Sequence, residues 1–322
     1  AVTLLKKALI GKIKKSCIQS LNKLEKKKSN LGATYSYLLV AGQPNLRSKK
    51  TGVESKMLDL SAVTLLCLDS RSPQLAVRAM QRCLEQARFA KAVLLTDKSK
   101  LPKLTSEIEY IQCPKMSSTR DYSEVLLRGI SSHINGSHVL LVQWDGFILD
   151  ANQWDPCFLD YDYIGAVWPQ YPNHQVGNGG FSLRSVRLLD ALQDERIVIS
   201  HPEDLCICDR NRLLLEDELG MKFAPIEIAD RFSVERGQWH SSFGFHGFFN
   251  FSHALPPEEV NDFIREIPSD CCGGIDSYDL IDALRLHGNP AAARALFNKC
   301  QWRPKTTKRF IKTWMRSKIT GF

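Results

Sequence analysis

The 322-residue chain has no run of eighteen or more uninterrupted apolar residues, which argues against a membrane-spanning helix. Its N-terminus carries lysine every few residues, with no unbroken apolar core and no small-residue cleavage site, so it does not read as a secretory leader. No GxxxxGK[ST] loop occurs, and no glycine-rich turn follows the first apolar run, which disfavours P-loop and Rossmann dinucleotide chemistry. The ten cysteines form no CxxC pair, no Cys/His ladder at zinc-finger spacing and no regular disulfide framework. Cys206 with Cys208, and the adjacent Cys271 and Cys272, read as small buried hydrophobes. Free thiols fit a reducing compartment, so a cytoplasmic location is expected.

The net charge of +8 is unevenly spread. Residues 1–30 hold nine lysines and one acid, and residues 299–322 hold eight Lys or Arg and no acid, so 31–298 is net −8. An acidic body with two basic ends disfavours a nucleic-acid-binding core and points the ends at something anionic. Leu5, Leu9, Ile13, Cys17, Leu21 and Leu24 share one face of an amphipathic helix over 1–30, with most lysines opposite. Such a helix suits an anionic bilayer surface; a helix packed on its own domain, or a disordered basic arm, is the plainer reading. At the other end Trp302, Phe310, Trp314 and Ile319 alternate with Arg303, Lys308, Lys312 and Arg316, the mixture a headgroup region favours. Stacking on nucleic acid is the competing reading. Two such ends favour the membrane, and hence a peripheral position on its cytoplasmic face.

Residues 31–60 are polar and turn-rich and read as a linker or irregular lead-in. From Ala62 the texture changes. Apolar runs at 62–68, 92–95, 108–112 and 139–142 alternate with helical periodicity at 75–89 and 122–134. Alternating strands and helices imply an α/β fold with a doubly wound sheet, whose ligands sit beyond the carboxyl ends of the strands. Polar residues gather there: Asp69, Ser70 and Arg71, then Asp97, then Gln143 and Asp145.

Within Val139–Ile148 a buried strand delivers Asp145, followed at once by Gly146. A carboxylate so placed suits a hard divalent ion bridging phosphates, although Asp-Gly is also a common turn dipeptide. Further on, Gly177, Gly179 and Gly180 form a bare backbone turn suited to the floor of a pocket. Pro202-Glu203-Asp204 is good helix-start chemistry as well as a candidate acid pair. His246, set between Gly244 and Gly247, is either a loop histidine or a ligand. Trp144, Trp154 and Trp168 read mainly as core, with Trp168 placed where a ring could stack on a sugar.

In this order the segments resemble GT-A glycosyltransferases. More closely, the strings QWDGFIL, YDYIGA-W, GNGGFSLRS, PED and FGFHG resemble an uncharacterised bacterial and fungal family described as glycosyltransferase-like, over roughly residues 60–252. The resemblance implies a GT-A-like doubly wound mixed sheet as catalytic domain over 61–252, with a basic helical extension over 253–322. Asp145 then matches the last Asp of a DxD motif and, with His246, would hold Mg²⁺ or Mn²⁺ on the donor diphosphate. Asp204 matches the base that takes the acceptor proton in inverting members, with Glu203 in support. Trp168, Gly179 and Gly180 would face the acceptor, while Arg71, Asp97 and Gln143 would lie near the donor. The chain departs from the pattern at Gln143, where the first Asp of DxD would stand. One carboxylate and one histidine are a thin ligand set, and in a metal-free site Arg71 or a nearby Lys would neutralise the departing diphosphate. The implied activity is transfer from a nucleotide-sugar to a hydroxyl of a membrane-associated glycan or glycolipid, such as lipopolysaccharide, capsule or a related envelope polymer. A degenerate, non-catalytic binding module is the alternative.

Overall fold

The computed structural model describes residues 57–319 apart from 102–104, 115 and 172–174. The helix expected over 1–30 and the lead-in up to residue 56 lie outside the described residues.

The chain is mixed α/β. Strand β1 (Leu58–Leu68) leads through helix α1 (Pro73–Gln86) to β2 (Ala87–Thr96) and β3 (Glu109–Gln112). Helix α2 (Thr119–Glu124) runs on as a π turn through Gly129 and feeds β4 (His138–Val142). The short strands β5 (Gly146–Ile148), β6 (Tyr163–Ile164), β7 (Ala166–Val167) and β8 (Val176–Gly177) precede β9 (Phe181–Ser185). Then come α3 (Val186–Ala191), α4 (Ile226–Phe232), β10 (Ser233–Val234) and β11 (Gly244–His246). Four further helices close the chain: α5 (Pro257–Glu266), α6 (Ile275–Leu286), α7 (Pro290–Lys299) and α8 (Thr307–Ile319). None of the described helices is long and apolar enough to cross a membrane.

The central sheet has the order β3-β2-β1-β4-β9-β6. Its first four strands are parallel, while β9 runs antiparallel to both β4 and β6. The parallel strands are covered on both faces, which is why they read as continuous apolar runs rather than alternating ones. Successive residues nevertheless serve opposite layers. Leu65, Cys67, Leu94 and Leu140 pack with α1 and with Phe263, Tyr278 and Leu296 of the C-terminal helices. Leu66, Val93, Leu95 and Leu141 pack on the other side with Leu126, Leu188 and Cys206–Cys208.

Three local outcomes differ from the sequence expectation. The helix expected to run to Phe89 ends at Gln86, and Ala87 turns extended with no intervening loop. Phe89 instead pairs with Leu60 in the sheet, extending β1 back to Leu58. No Gly or Pro lies between residues 80 and 96, so nothing in the sequence punctuates the switch. In the stretch expected as a C-terminal extension, α5, α6 and α7 supply residues to the same core as β1 and β4.

That shared core reaches the end of β4. Trp144, just past the strand, stacks on Phe248 (5.4 Å between centroids) and on Phe263 of α5 (5.8 Å, planes 14° apart). Phe263, only 2% exposed, also meets Phe251 edge-on at 4.5 Å. Phe263→Ala is expected to cost about 3–5 kcal/mol in denaturant unfolding, the range for removing a buried aromatic ring.

Candidate active site

Two strand pairings assemble the site. The antiparallel register of β4 with β9 sets Val142 against Phe181, so the glycine turn before β9 lies beside the residues after β4. Gln143 N–H donates to the Gly180 carbonyl at 2.8 Å. The antiparallel register of β5 with β11 sets Gly146 against His246. Asp145 and His246, a hundred residues apart in the chain, therefore become neighbours.

Asp145 is 8% exposed. Its Oδ2 accepts from Phe248 N–H at 3.2 Å, and its carbonyl accepts from Gly247 N–H. Its Oδ1 has no hydrogen-bond partner. His246 Nε2 lies 3.4 Å from that oxygen, within ion-pair range, and 3.3 Å from Gln143 Oε1. The amide of Gln143 is oriented from behind, its Nε2 donating to the Tyr122 hydroxyl at 3.0 Å. On the far side of the ring, His246 Nδ1 is 3.2 Å from Glu235 Oε1 and 3.2 Å from Asn178 Nδ2. Burial works against charge on this imidazole, but the Asp145 and Glu235 carboxylates outweigh it and hold His246 well above the usual histidine range. Gly180 makes the close approach possible: a Cβ there would stand 2.0 Å from His246 Nε2.

A buried carboxylate oxygen whose neighbour is the His246 imidazole, beside an amide oxygen, is a donor set that a divalent ion accepts once its arrival displaces the Nε2 proton. A carboxylate on the opposite imidazole nitrogen is the usual support for a metal-bound histidine. The set is partial, since no group of three His, Cys, Asp or Glu suited to a metal occurs among the described residues. A bound ion would draw further oxygens from its ligand.

Glu203 and Asp204 point to different surroundings. Glu203 is 4% exposed and accepts from Arg184 Nη2 at 3.4 Å. Arg184 is wholly buried, its Nε donating to Ser182 Oγ at 3.2 Å while its Nη1 has no partner. Burial and the neighbouring Asp204 push the Glu203 carboxyl upward, with Arg184 opposing them. Gly179 is again required by contact, because a Cβ there would meet Glu203 Oε1 at 1.9 Å. Asp204 is only partly buried, and its Oδ2 accepts from Gly179 N–H at 3.2 Å.

A cavity of about 580 Å³ opens at the carboxyl ends of β1 and β4, lined by Asp69, Arg71, Ser118, Tyr122, Gln143 and His201 among others. Asp69 closes the turn after β1 by accepting from the Arg71 and Ser72 amides, each at 2.7 Å. Arg71 reaches across to Asp270, 3.0 Å away, and Cys271 forms part of the wall. Asp97 does not line this cavity. It caps the turn Lys98–Lys100, whose Lys100 donates to the Ser70 carbonyl. Trp168 is 5% exposed, its ring lying so close to Gly177 that a Cβ there would be 2.3 Å away. The structure thus joins Gln143, Asp145, Gly180 and His246 in one cluster and Gly179, Glu203 and Asp204 in a second beside it, with Arg71 across the cavity. Sequence reasoning missed Tyr122, Asn178, Arg184, His201 and Glu235. Of these only Asn178, within the glycine turn and at φ +71°, carried a local signal.

Arg184→Met leaves Glu203 buried without its cation and is expected to cost about 3–5 kcal/mol at neutral pH. The sign with pH follows from the raised carboxyl pKa. The unfolded chain holds fewer protons in that window, so stability falls as pH rises from the ordinary value of 4.5 toward the raised one. Removing Arg184 raises the folded value further, so urea titrations should show the variant's deficit shrinking as pH drops toward 4.5.

A sequence profile of a family described as "Protein of unknown function (DUF5672)" matches residues 105–246. No curated protein matches the chain. Among solved structures, the chain is similar to the mannosyltransferase PcManGT from Pyrobaculum calidifontis in complex with GDP-Man and Mn²⁺, at 10% identity and a TM-score of 0.37, covering 82% of this chain and 88% of that one. It is similar also to a glycosyltransferase involved in the glycosylation of the major capsid of PBCV-1, at 9% identity and a TM-score of 0.36, covering 57% of this chain and 92% of that one.

Proposed function

We propose that the chain transfers a glycosyl group from a nucleotide diphosphate sugar to a hydroxyl of a membrane-associated glycan. The observation that carries this reading is the unpartnered Asp145 Oδ1 facing His246 Nε2, with Gln143 joining that pair to a cavity at the strand ends. Asp145, His246 and Gln143 would hold Mg²⁺ or Mn²⁺, which supplies positive charge to the leaving diphosphate. Arg71 adds a second cation on the cavity wall. Asp204, more open than Glu203, takes the proton from the acceptor hydroxyl as general base. Glu203 and Arg184 hold that helix start in place behind Gly179. Gly179 and Gly180 let the Glu203 carboxylate and the His246 ring close in on the turn that would face the acceptor, with Trp168 packed against the neighbouring Gly177. Direct displacement by the activated hydroxyl inverts the anomeric centre. A non-catalytic nucleotide-sugar-binding module is the second reading, favoured by the amide at position 143.

A membrane-bound acceptor is supported by the C-terminal helix. Trp302 and Trp314 stand 58% and 46% exposed beside Lys305, Lys308 and Lys312. Such a surface suits an anionic headgroup layer.

Two experiments test the reading. A panel of UDP-, GDP-, CMP- and dTDP-sugars should raise the melting temperature with one donor class in the presence of Mn²⁺, by about 2.7 kcal/mol of stabilisation at a hundred times Kd. Asp145→Asn should lose the metal-dependent part, and Asp204→Asn should keep donor binding while turnover falls by about 10²-fold or more. Full turnover in Asp204→Asn removes that residue as the base, and donor binding with no turnover in the wild type selects the binding module. Separately, the double substitution Trp302→Ser, Trp314→Ser should weaken sedimentation with anionic vesicles about tenfold or more without changing the melting temperature.

A further inference from the structure

A second cavity, of about 470 Å³, lies between β7, the end of α4 and residues 233–240. We infer that it binds an uncharged sugar unit of the acceptor. The inference rests on the glycosyltransferase reading and adds a site and a ligand class to it.

Glu235 lines this second cavity, and its Oε1 sits 3.2 Å from His246 Nδ1. The other nitrogen of that ring reaches Asp145 and Gln143, and Gln143 lines the first cavity. One imidazole therefore stands between two cavities of similar size. Both fall within the range of small-molecule sites. A transferase needs two substrate spaces around one reacting centre, and the first cavity accounts for only one of them.

The first cavity has Arg71 in its lining. The second has no Lys or Arg but two carboxylates, Asp230 and Glu235. Its one basic group is His240, with Nδ1 on the Gln238 carbonyl and Nε2 on the Asp230 carbonyl, each at 2.9 Å. Nearby Arg236 directs its guanidinium to Asp276 and to Asp279, 2.8 Å away, and lies 3.7 Å over the Phe249 ring. His240 is already taken up by Asp230, whose Oδ1 lies 3.5 Å from its Nε2, so a phosphate, sulfate or uronate in this space would face the carboxylates with no uncommitted cation to offset them. A neutral pyranose instead offers hydroxyl donors, which Asp230 and Glu235 accept, and an apolar ring face for an aromatic neighbour. Trp239 supplies that aromatic in the lining, held rigid by stacking on His253 at 5.2 Å and 16°. The two cavities thus sort the two substrates by charge: a diphosphate on the Arg71 side, an uncharged sugar on the Glu235 side.

The test uses the full chain with methyl glycosides of glucose, galactose, mannose and N-acetylglucosamine, followed by saturation-transfer NMR beside glucuronate and mannose 6-phosphate. At least one neutral glycoside should bind, and the two anions should not. Gly237 lines the cavity, and a Cβ there meets no atom within 4 Å, so Gly237→Trp has open space from which to fill it. It should weaken the neutral glycoside about tenfold or more while leaving the nucleotide-sugar thermal shift at its wild-type value. Asp230→Lys, a charge reversal at the rim, should admit glucuronate. The inference is overturned if no neutral glycoside binds, if the anions bind equally well, or if Gly237→Trp binds as the wild type does. Donor binding without glycoside binding sinks the sugar site and leaves the transferase reading standing. Glycoside binding lost in Gly237→Trp, with no donor bound by the wild type, supports the sugar site and sinks the transferase reading.

Discussion

The antiparallel pairing of β5 with β11 is the constraint on which the rest of the site depends. It fixes His246 opposite Gly146, and thereby fixes which carboxylate the imidazole meets. A shift of one residue would turn His246 to the other face of the little sheet and leave Asp145 Oδ1 buried with no counter-group at all. The pairing is held by aromatic packing: Phe147 of β5 meets Phe245 of β11 edge-on at 4.7 Å, and Phe245 packs on Phe251. Trp144 packs in one aromatic cluster with Phe248 and Phe263, which anchors the start of the intervening turn to the core. Polar geometry at the site is thus set by apolar contacts a few ångströms behind it.

Much of this was legible in the sequence. The four parallel strands announced themselves because strands covered on both faces must be apolar throughout, and the polar residues at their ends fell where the chain leaves the core. Asp145 stood out by its place at a strand end before a glycine, and Gly179, Gly180 and His246 by the resemblance; the fold brings Asp145, Gly180 and His246 together. Glu235 was not, since it sits in a polar stretch, Val234-Glu235-Arg236-Gly237, that looks like any solvated loop. Its importance comes from tertiary placement against His246, which no periodicity encodes. Asp97 and Trp168 show the converse. Both occupy positions that sequence logic singles out, yet one caps a surface turn and the other fills the space left by Gly177. Strands of two residues, such as β6, β7 and β8, are too short to carry a pattern.

The C-terminal helices also take a larger part than an extension would suggest. Asp270 pairs with Arg71 of the cavity at the strand ends and Cys271 lines it, α5 braces Trp144, and α6 receives Arg236 from the loop beside Glu235. A continuous row of ion pairs follows, from Arg236 through Asp279 to Arg309, and on through Asp282 to Arg316. Each partly exposed pair is worth little alone, but the row ties α8 to α6 along its length.

That row changes what an approaching surface would feel. The formal +8 of residues 299–322 counts arginines whose fields are largely cancelled within the fold by Asp279 and Asp282. Among the described residues of this segment, Lys305, Lys308 and Lys312 are exposed and have no ion pair. Beyond a Debye length of roughly 8 Å the paired arginines and their aspartates look like dipoles rather than charges. The long-range pull of this end is therefore that of a few lysines and of Arg303, which bonds only backbone carbonyls, and its tighter hold at contact falls to the indole rings of Trp302 and Trp314.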